Sequence, residues 1–257
     1  TYTDTATVDA DGIAVFKTIA YTHEDAGITY TYEVKENKNE ELSGYTFSQA
    51  VYTVTVEVPE AGSEDFTPEV TITYNKGTEE EANVSAMYFY NTYEAKGSIS
   101  LAGTKTMADG DAGLTADAFR FEVRENGELV SKGTNAADGT IEFEPINYVY
   151  NTSQNDLGLH TYEISEIQPD DGDGYVYDRT VKTVVVKVTD DGDGSLTAEI
   201  VDADSDEVVF ENDTLKVSFK KTDVAGQEIK GAELAIYEHT KEGKGVLITS
   251  WTSDGTP

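Results

Sequence analysis

Apolar and polar residues alternate along most of this chain, as in Tyr52-Thr53-Val54-Thr55-Val56. Alternate residues of a strand face the same side, so this period marks half-buried strands. Tyr, Thr and Val fill these runs, which suits a pleated, half-buried surface. No window carries a sustained 3.6-residue apolar stripe, and helix formers never dominate a long stretch. Turn pairs such as Asn126-Gly127, Asp138-Gly139 and Asp193-Gly194 separate the runs. Short strands with turns at this spacing predict two packed antiparallel sheets per unit. The expected fold is all-β: tandem immunoglobulin-like antiparallel β-sandwiches. The connectors at 92–97 and 213–214 are short, which predicts a stiff, elongated array.

An internal repeat organises the chain. Asp11-Gly12 with Phe16, Ile19 and Tyr21 matches Asp138-Gly139 with Phe143, Ile146 and Tyr148. Tyr32-Glu33-Val34-Lys35-Glu36 matches Tyr162-Glu163-Ile164-Ser165-Glu166, and Gly44-Tyr45-Thr46-Phe47 matches Gly174-Tyr175-Val176-Tyr177. The run from Val54 to Val58 matches Val184 to Val188, and Phe89-Tyr90-Asn91 matches Phe210-Glu211-Asn212. The blocks keep their order, and length differences fall in acidic or Gly-rich turns. These are two copies of one domain. The second copy opens with two further strands, at 98–105 and 118–124, that lack counterparts in the first. The expected organisation is a first copy at 1–96 that begins partway through its domain, and a whole copy at 97–214. A third unit at 215–257 is too short for an independent sandwich.

Composition narrows the function classes. Apolar residues make up 38% of the chain, enough for sandwich cores. The net charge of −32 repels phosphate backbones and anionic lipid, which excludes nucleic acid and membrane surfaces as expected partners. There is no cysteine, so disulfides, thiolate metal sites and cysteine nucleophiles are excluded. No signal peptide, apolar span or sorting signal falls within these residues, so a secreted protein would carry them elsewhere.

Strand parity selects three polar residues for the buried side. Ile99 and Leu101 define one face of the opening strand, and Lys105 continues it past Gly103. Glu166 follows Tyr162 and Ile164, and Asn212 follows Val208 and Phe210. Two readings fit this pattern. In one, Lys105 and Glu166 form a buried ion pair and Asn212 is a turn residue. In the other, burial neutralises both groups. The amine then attacks the Asn212 carboxamide while a protonated Glu166 polarises its carbonyl and moves protons, releasing ammonia.

Three stretches together resemble the pilin isopeptide-linkage domains of Gram-positive pili and surface adhesins. They are Gly103-Thr104-Lys105 leading to Phe119-Arg120-Phe121, then 162–166, then Phe210-Glu211-Asn212. The resemblance spans about 97–214, and the first copy shares its later two-thirds. It implies a self-formed crosslink between Lys105 and Asn212, with Glu166 as proton shuttle. The first copy keeps Glu36 and Asn91 but no matching lysine, since Lys17 sits in a different strand. From 215 onward, Val217-Ser218-Phe219-Lys220-Lys221-Thr222-Asp223 and Ser250-Trp251-Thr252 resemble the start of a collagen-adhesin B-type domain. There the resemblance implies that Lys221 is a nucleophile whose acid and acceptor lie beyond Pro257.

Other chemistry is sparse. Asp170-Asp171-Gly172-Asp173-Gly174 and Asp190-Asp191-Gly192-Asp193-Gly194 lack the full calcium-loop spacing and read as acidic turns. His23, His160 and His239 belong to no metal-ligand motif, and no phosphate loop appears. Neither a metal nor a cofactor is expected. The expected function is a structural stalk segment of an extracellular, cell-wall-anchored adhesin rather than an enzyme. Its expected partners are neighbouring domains of the same surface protein, with a host extracellular protein or glycan as a further candidate. The alternatives are a pilus backbone subunit and a calcium-dependent host-ligand module. None of the five prolines precedes a lysine, which counts against the Tyr-Pro-Lys-like motif of polymerising pilins.

Overall fold

The computed structural model describes residues 2–110, 113–170, 174–201, 208–216, 221–240 and 243–254. Its long elements are all strands, with a 3-10 turn at His23–Asp25. The first copy contributes β1 (Thr29–Lys35), β2 (Tyr45–Thr46), β3 (Val51–Glu57), β4 (Glu69–Tyr74), β5 (Ala82–Val84) and β6 (Thr92–Tyr93). Next come β7 (Ala95–Ile99), β8 (Ala102–Met107), β9 (Arg120–Glu125), β10 (Glu128–Asn135), β11 (Thr140–Phe143) and β12 (Ile146–Tyr150). They are followed by β13 (Gly158–Glu166), β14 (Tyr175–Val176), β15 (Lys182–Asp190), β16 (Leu196–Ile200) and β17 (Val209–Thr214). The tail forms one hairpin, β18 (Glu233–Thr240) and β19 (Gly243–Thr252).

The chain divides into two compact units. One comprises Thr1–Ser100, Pro145–Tyr162 and Val184–Ser205, and the other Leu101–Glu144, Glu163–Thr183 and Asp206–Pro257. In the first, β1, β3, β4 and β5 form an antiparallel sheet, with Tyr32 opposite Val54 and Val54 opposite Ile72. Here β7 pairs with β12, and β15 with β16. Its buried residues include Ala95, Tyr148, Tyr162, Val184, Val186 and Val188. Each copy also ties two tyrosine hydroxyls together, Tyr21 with Tyr32 at 2.9 Å and Tyr148 with Tyr162 at 2.8 Å. Such pairing satisfies phenol groups that burial would otherwise strand.

In the second unit the strand order is β14-β17-β8-β11-β10-β9. The pairs are antiparallel except β8 with β17, which run parallel with Phe210 opposite Lys105 and Asn212 opposite Met107. Phe121, Val123, Ile141, Ile164 and Phe210 are fully buried, and the rings of Phe121 and Phe210 lie 5.2 Å apart. Aromatic and branched side chains of this size account for most of the apolar area a sheet can bury.

Two sequence expectations are modified. The opening strand at 98–105 is two strands, because β7 pairs with β12 whereas β8 lies between β11 and β17. Its parity survives the change of partners, with Leu101 and Lys105 both buried. Residues 2–22 form no strand, although their apolar residues match those of β11 and β12. The physical reason is pairing. β11 is held by β8 and β10, and β12 by β7, and no strand pairs with 2–22. Phe16 is accordingly 42% exposed where Phe143 is 6% exposed. In the tail, Val217 to Lys220, part of the stretch that resembles the start of a collagen-adhesin B-type domain, lie outside the described residues.

One glycine fixes the depth of β8. The Lys105 N–H donates to Gly139 O at 2.7 Å. Gly139 has φ +91°, and a Cβ on it would lie 2.5 Å from the Lys105 carbonyl oxygen. That oxygen belongs to a paired strand and cannot swing aside. Gly127 has a similar φ of +85° but open space around it. Gly139→Ala is therefore expected to cost about 2–4 kcal/mol, strain plus clash, against about 1–2 for Gly127→Ala. Urea unfolding of both variants checks this, and equal midpoints would contradict it.

Candidate functional site

Lys105 sits mid-strand in β8 with no side-chain exposure. Its Nζ donates to the carbonyl oxygens of Phe210 and Thr106, each at 3.1 Å. The Phe119 ring lies beneath it, 4.8 Å from Nζ to the ring centre. Glu166 ends β13, and its side chain is also fully buried, with Oε1 3.8 Å from Lys105 Nζ. Asn212 is 0% exposed and belongs to β17. Parallel pairing sets Phe210 against Lys105, so Asn212 is the next residue along on the same face. The three residues that parity selected occupy one dry pocket.

The hydrogen bonds fix the orientation of the carboxamide. The Asp178 backbone N–H donates to Asn212 Oδ1 at 2.8 Å. A main-chain N–H can only donate, so the oxygen must face it and the amide nitrogen must point the other way. That nitrogen donates to Glu166 Oε1 at 2.8 Å. Glu166 Oε2 is buried without a hydrogen-bond partner. An ionised carboxylate with a bare, dry oxygen is costly, whereas a protonated one loses little.

Electrostatics agree with that reading. Burial pushes the Lys105 ammonium down, against the pull of Glu166, Asp178 and Glu211. Burial likewise raises the Glu166 carboxyl, against the opposing effects of Lys105, the Asn212 amide and the nearby Asp178 backbone N–H. Burial acts to raise Asp178 too, yet backbone N–H bonds from Thr180 and Glu211 hold it below the ordinary range. Its charge further disfavours ionisation of Glu166. A separation of 3.8 Å is also longer than a charge-assisted hydrogen bond, which runs about 2.7–2.9 Å. The pocket thus shifts the amine and the carboxyl toward their uncharged forms and holds the carboxamide by its oxygen.

The first copy repeats half of this arrangement. Asn91 donates from Nδ2 to Glu36 Oε1 at 2.7 Å, and the Ser48 backbone N–H donates to Asn91 Oδ1 at 2.8 Å. Ser48 also donates to Glu36 Oε2 at 3.2 Å. Glu36 is half-buried and Asn91 exposed, so this pair is open to water. Lys17 is bound elsewhere, at 3.4 Å from Asp4. Lys221 is exposed, and its carbonyl accepts from the Ile229 N–H at 3.1 Å.

Parity did not find the two N–H donors or the Phe119 ring. A backbone donor has no letter in the sequence. The available signal was position, since Ser48 and Asp178 each stand four residues after the matched glycines Gly44 and Gly174. Of the acidic turns, Asp171 to Asp173 lie outside the described residues. At 190–195 the carboxylates cap their own turn, with Gly192 N–H on Asp190 and Ser195 N–H on Asp193. His160 lies against Tyr148 and Tyr162, with Nε2 2.8 Å from the Asp156 carbonyl oxygen.

Lys105→Met tests the electrostatics. It withdraws the attraction that favours the Glu166 carboxylate, so that carboxyl rises further. A group whose folded-state value is raised contributes stability below its unfolded value and loses it as pH rises through the folded one. Measured against Lys105→Met/Glu166→Gln, which keeps every other carboxylate, the thermal midpoint of Lys105→Met should therefore fall as pH rises from acid toward neutrality. Parallel profiles by circular dichroism would contradict the assignment.

Comparison with known proteins follows the same lines. No curated protein matches the chain. Among solved structures, the chain resembles the major pilin protein (T-13) from Streptococcus pyogenes. Identity is 18%, covering 78% of this chain and 69% of that one, with a TM-score of 0.24. Residues 1–94 and 101–214 each match the family described as FctA, Spy0128-like isopeptide containing domain. By those two matches, in tandem, the chain belongs to the Spy0128-like isopeptide containing domain family.

Proposed function

We propose that this chain is a load-bearing stalk segment of a bacterial surface protein, closed by an amide between Lys105 and Asn212. The observation that carries this is that one buried carboxyl, Glu166, stands 3.8 Å from the buried Lys105 amine and accepts a hydrogen bond from the buried Asn212 carboxamide. The Nζ electron pair attacks Asn212 Cγ, and the new C–N bond forms as Nδ2 departs. Glu166 takes a proton from the attacking nitrogen and gives one to the leaving nitrogen, which exits as ammonia. Atoms balance without oxidant or cofactor. The step happens once per molecule and is maturation rather than turnover.

Such a bond joins β8 to β17, the first and last strands of the second unit's sheet that flank each other. Tension applied at the ends of 97–214 then runs through covalent bonds instead of a peeling ladder. On the loop-entropy picture a closure this long stabilises by about 4–5 kcal/mol. The greater gain is a slower opening rate, which governs forced unfolding. In a chain without cysteine it takes the place of a disulfide. The domains under this proposal are 1–96, 97–214 and 215–257, on an extracellular, cell-wall-anchored adhesin. Glu36 with Asn91 is an acceptor awaiting an amine, and Lys221 an amine awaiting an acceptor in a collagen-adhesin B-type unit.

A pilus subunit is the second reading, favoured by the family to which both copies belong. Ladders of covalent multimers in cell-wall extracts would select it over a single-chain adhesin.

Intact-mass spectrometry is the direct test. The purified chain is expected one ammonia lighter than its encoded mass, and Glu166→Ala is expected at full mass with a lower melting temperature. A full-mass parent chain would remove the crosslink.

The pH dependence gives a second check. The reactive pair holds one proton between amine and acid, so the rate should fall when it gains or loses one. Burial raises the acid and lowers the amine, so the plateau should be narrower than for free glutamate and lysine. Refolding from acidic urea over a pH series, with ammonia loss followed by mass, reads this out. A rate still rising through strongly alkaline pH would contradict it.

A further inference from the structure

Resting on the amide-forming reading above, we propose that the Asp178 backbone N–H is the catalytic donor that activates the Asn212 carbonyl. Attack on a carboxamide pushes the carbonyl π electrons onto Oδ1. A donor aimed at that oxygen from a dry site stabilises the developing charge. The Asp178 N–H occupies that place at 2.8 Å. Glu166 is engaged on the nitrogen side of the same carboxamide, and so supplies proton transfer instead.

The fold holds this donor by strand register. β14 pairs antiparallel with β17, Tyr175 opposite Thr214 and Val176 opposite Asp213. Continued, that register brings Asp178 beside Glu211 and its N–H toward the neighbouring Asn212 side chain. The Asp178 carboxylate then accepts from the N–H groups of Thr180 at 2.8 Å and Glu211 at 3.3 Å, which pins the peptide. The donor is set before the reaction and needs no reorganisation.

The first copy supplies a second instance. β2 pairs with β6 in the corresponding register, Tyr45 opposite Tyr93 and Thr46 opposite Thr92. The Ser48 N–H reaches Asn91 Oδ1 at the same 2.8 Å. Serine and aspartate share no side-chain chemistry that would explain this. What the two copies share is the main-chain N–H and its aim.

The step is Lys105 amine plus Asn212 carboxamide giving a secondary amide plus ammonia. During it the Oδ1 charge is carried by the Asp178 N–H and returns to the carbonyl as the C–Nδ2 bond breaks. No other group is consumed.

Amide-to-ester replacement at Asp178, which exchanges the N–H for an oxygen and leaves the side chain, tests the donor directly. The full chain is kept unfolded and uncrosslinked in acidic urea, then diluted to fold, and ammonia loss is followed by mass. The ester at 178 should slow ammonia loss on the order of 10²-fold. An ester at Glu144, which removes an N–H bond of 2.9 Å to Lys132 O away from the pocket, should react at the parent rate. An unchanged rate in the folded 178 ester overturns the proposal, as does equal slowing by both esters. If the parent chain itself loses no ammonia, the amide-forming reading fails first, and the two failures are distinguished.

A second measurement does not depend on the ester folding. In Lys105→Met, where Asn212 stays a carboxamide, a scalar coupling across the hydrogen bond should connect Asp178 15N to Asn212 13Cγ. Its absence from a folded sample overturns the proposal.

Discussion

The parallel pairing of β8 with β17 is the constraint on which the candidate site depends. A parallel pair places residues of equal parity on one face, and here the register puts Phe210 opposite Lys105. One residue pair further along the same face comes Asn212. Had the register slipped by one, either the amine or the carboxamide would have turned to the opposite face. The glycine at 139 protects that register from the other side, because only a residue without Cβ lets the turn approach the Lys105 carbonyl.

Burial follows from the same pairing and sets the chemistry. The Phe119 ring covers Nζ, and the side chains of both Lys105 and Glu166 are fully shut off from water. An amine in such a place is either paired with a charge or neutral. The nearest carboxyl oxygen stands at 3.8 Å, while the closer contacts of Nζ are two carbonyl oxygens. Carbonyl acceptors satisfy N–H groups of a neutral amine and leave its electron pair unspent. Under the proposed amide formation, the cost of burying ionisable groups is what makes the pair reactive, which an apolar pair at the same positions would not be.

Much of this was legible from alternation. A period of two identifies the buried face without knowledge of the partner strand, so Lys105, Glu166 and Asn212 could each be placed inside from their neighbours alone. The all-β class followed from the same period. Pairing was not legible. Residues 2–22 carry the apolar pattern of β11 and β12 yet form no strand, since a strand exists only through hydrogen bonds to another. The division of 98–105 into β7 and β8 is equally a matter of partners. The Asp178 and Ser48 donors were hidden for a different cause: every residue but proline has an N–H, and only the fold says where it points.

The two copies separate what the acceptor requires from what the amine requires. In the first, the Glu36–Asn91 bond and the Ser48 N–H contact persist at 2.7 and 2.8 Å with no lysine between them and with water nearby. The carboxamide geometry therefore does not depend on the amine, and it comes from the local turn and the short β2–β6 ladder. What the second copy adds is β8, which brings the lysine and excludes water together.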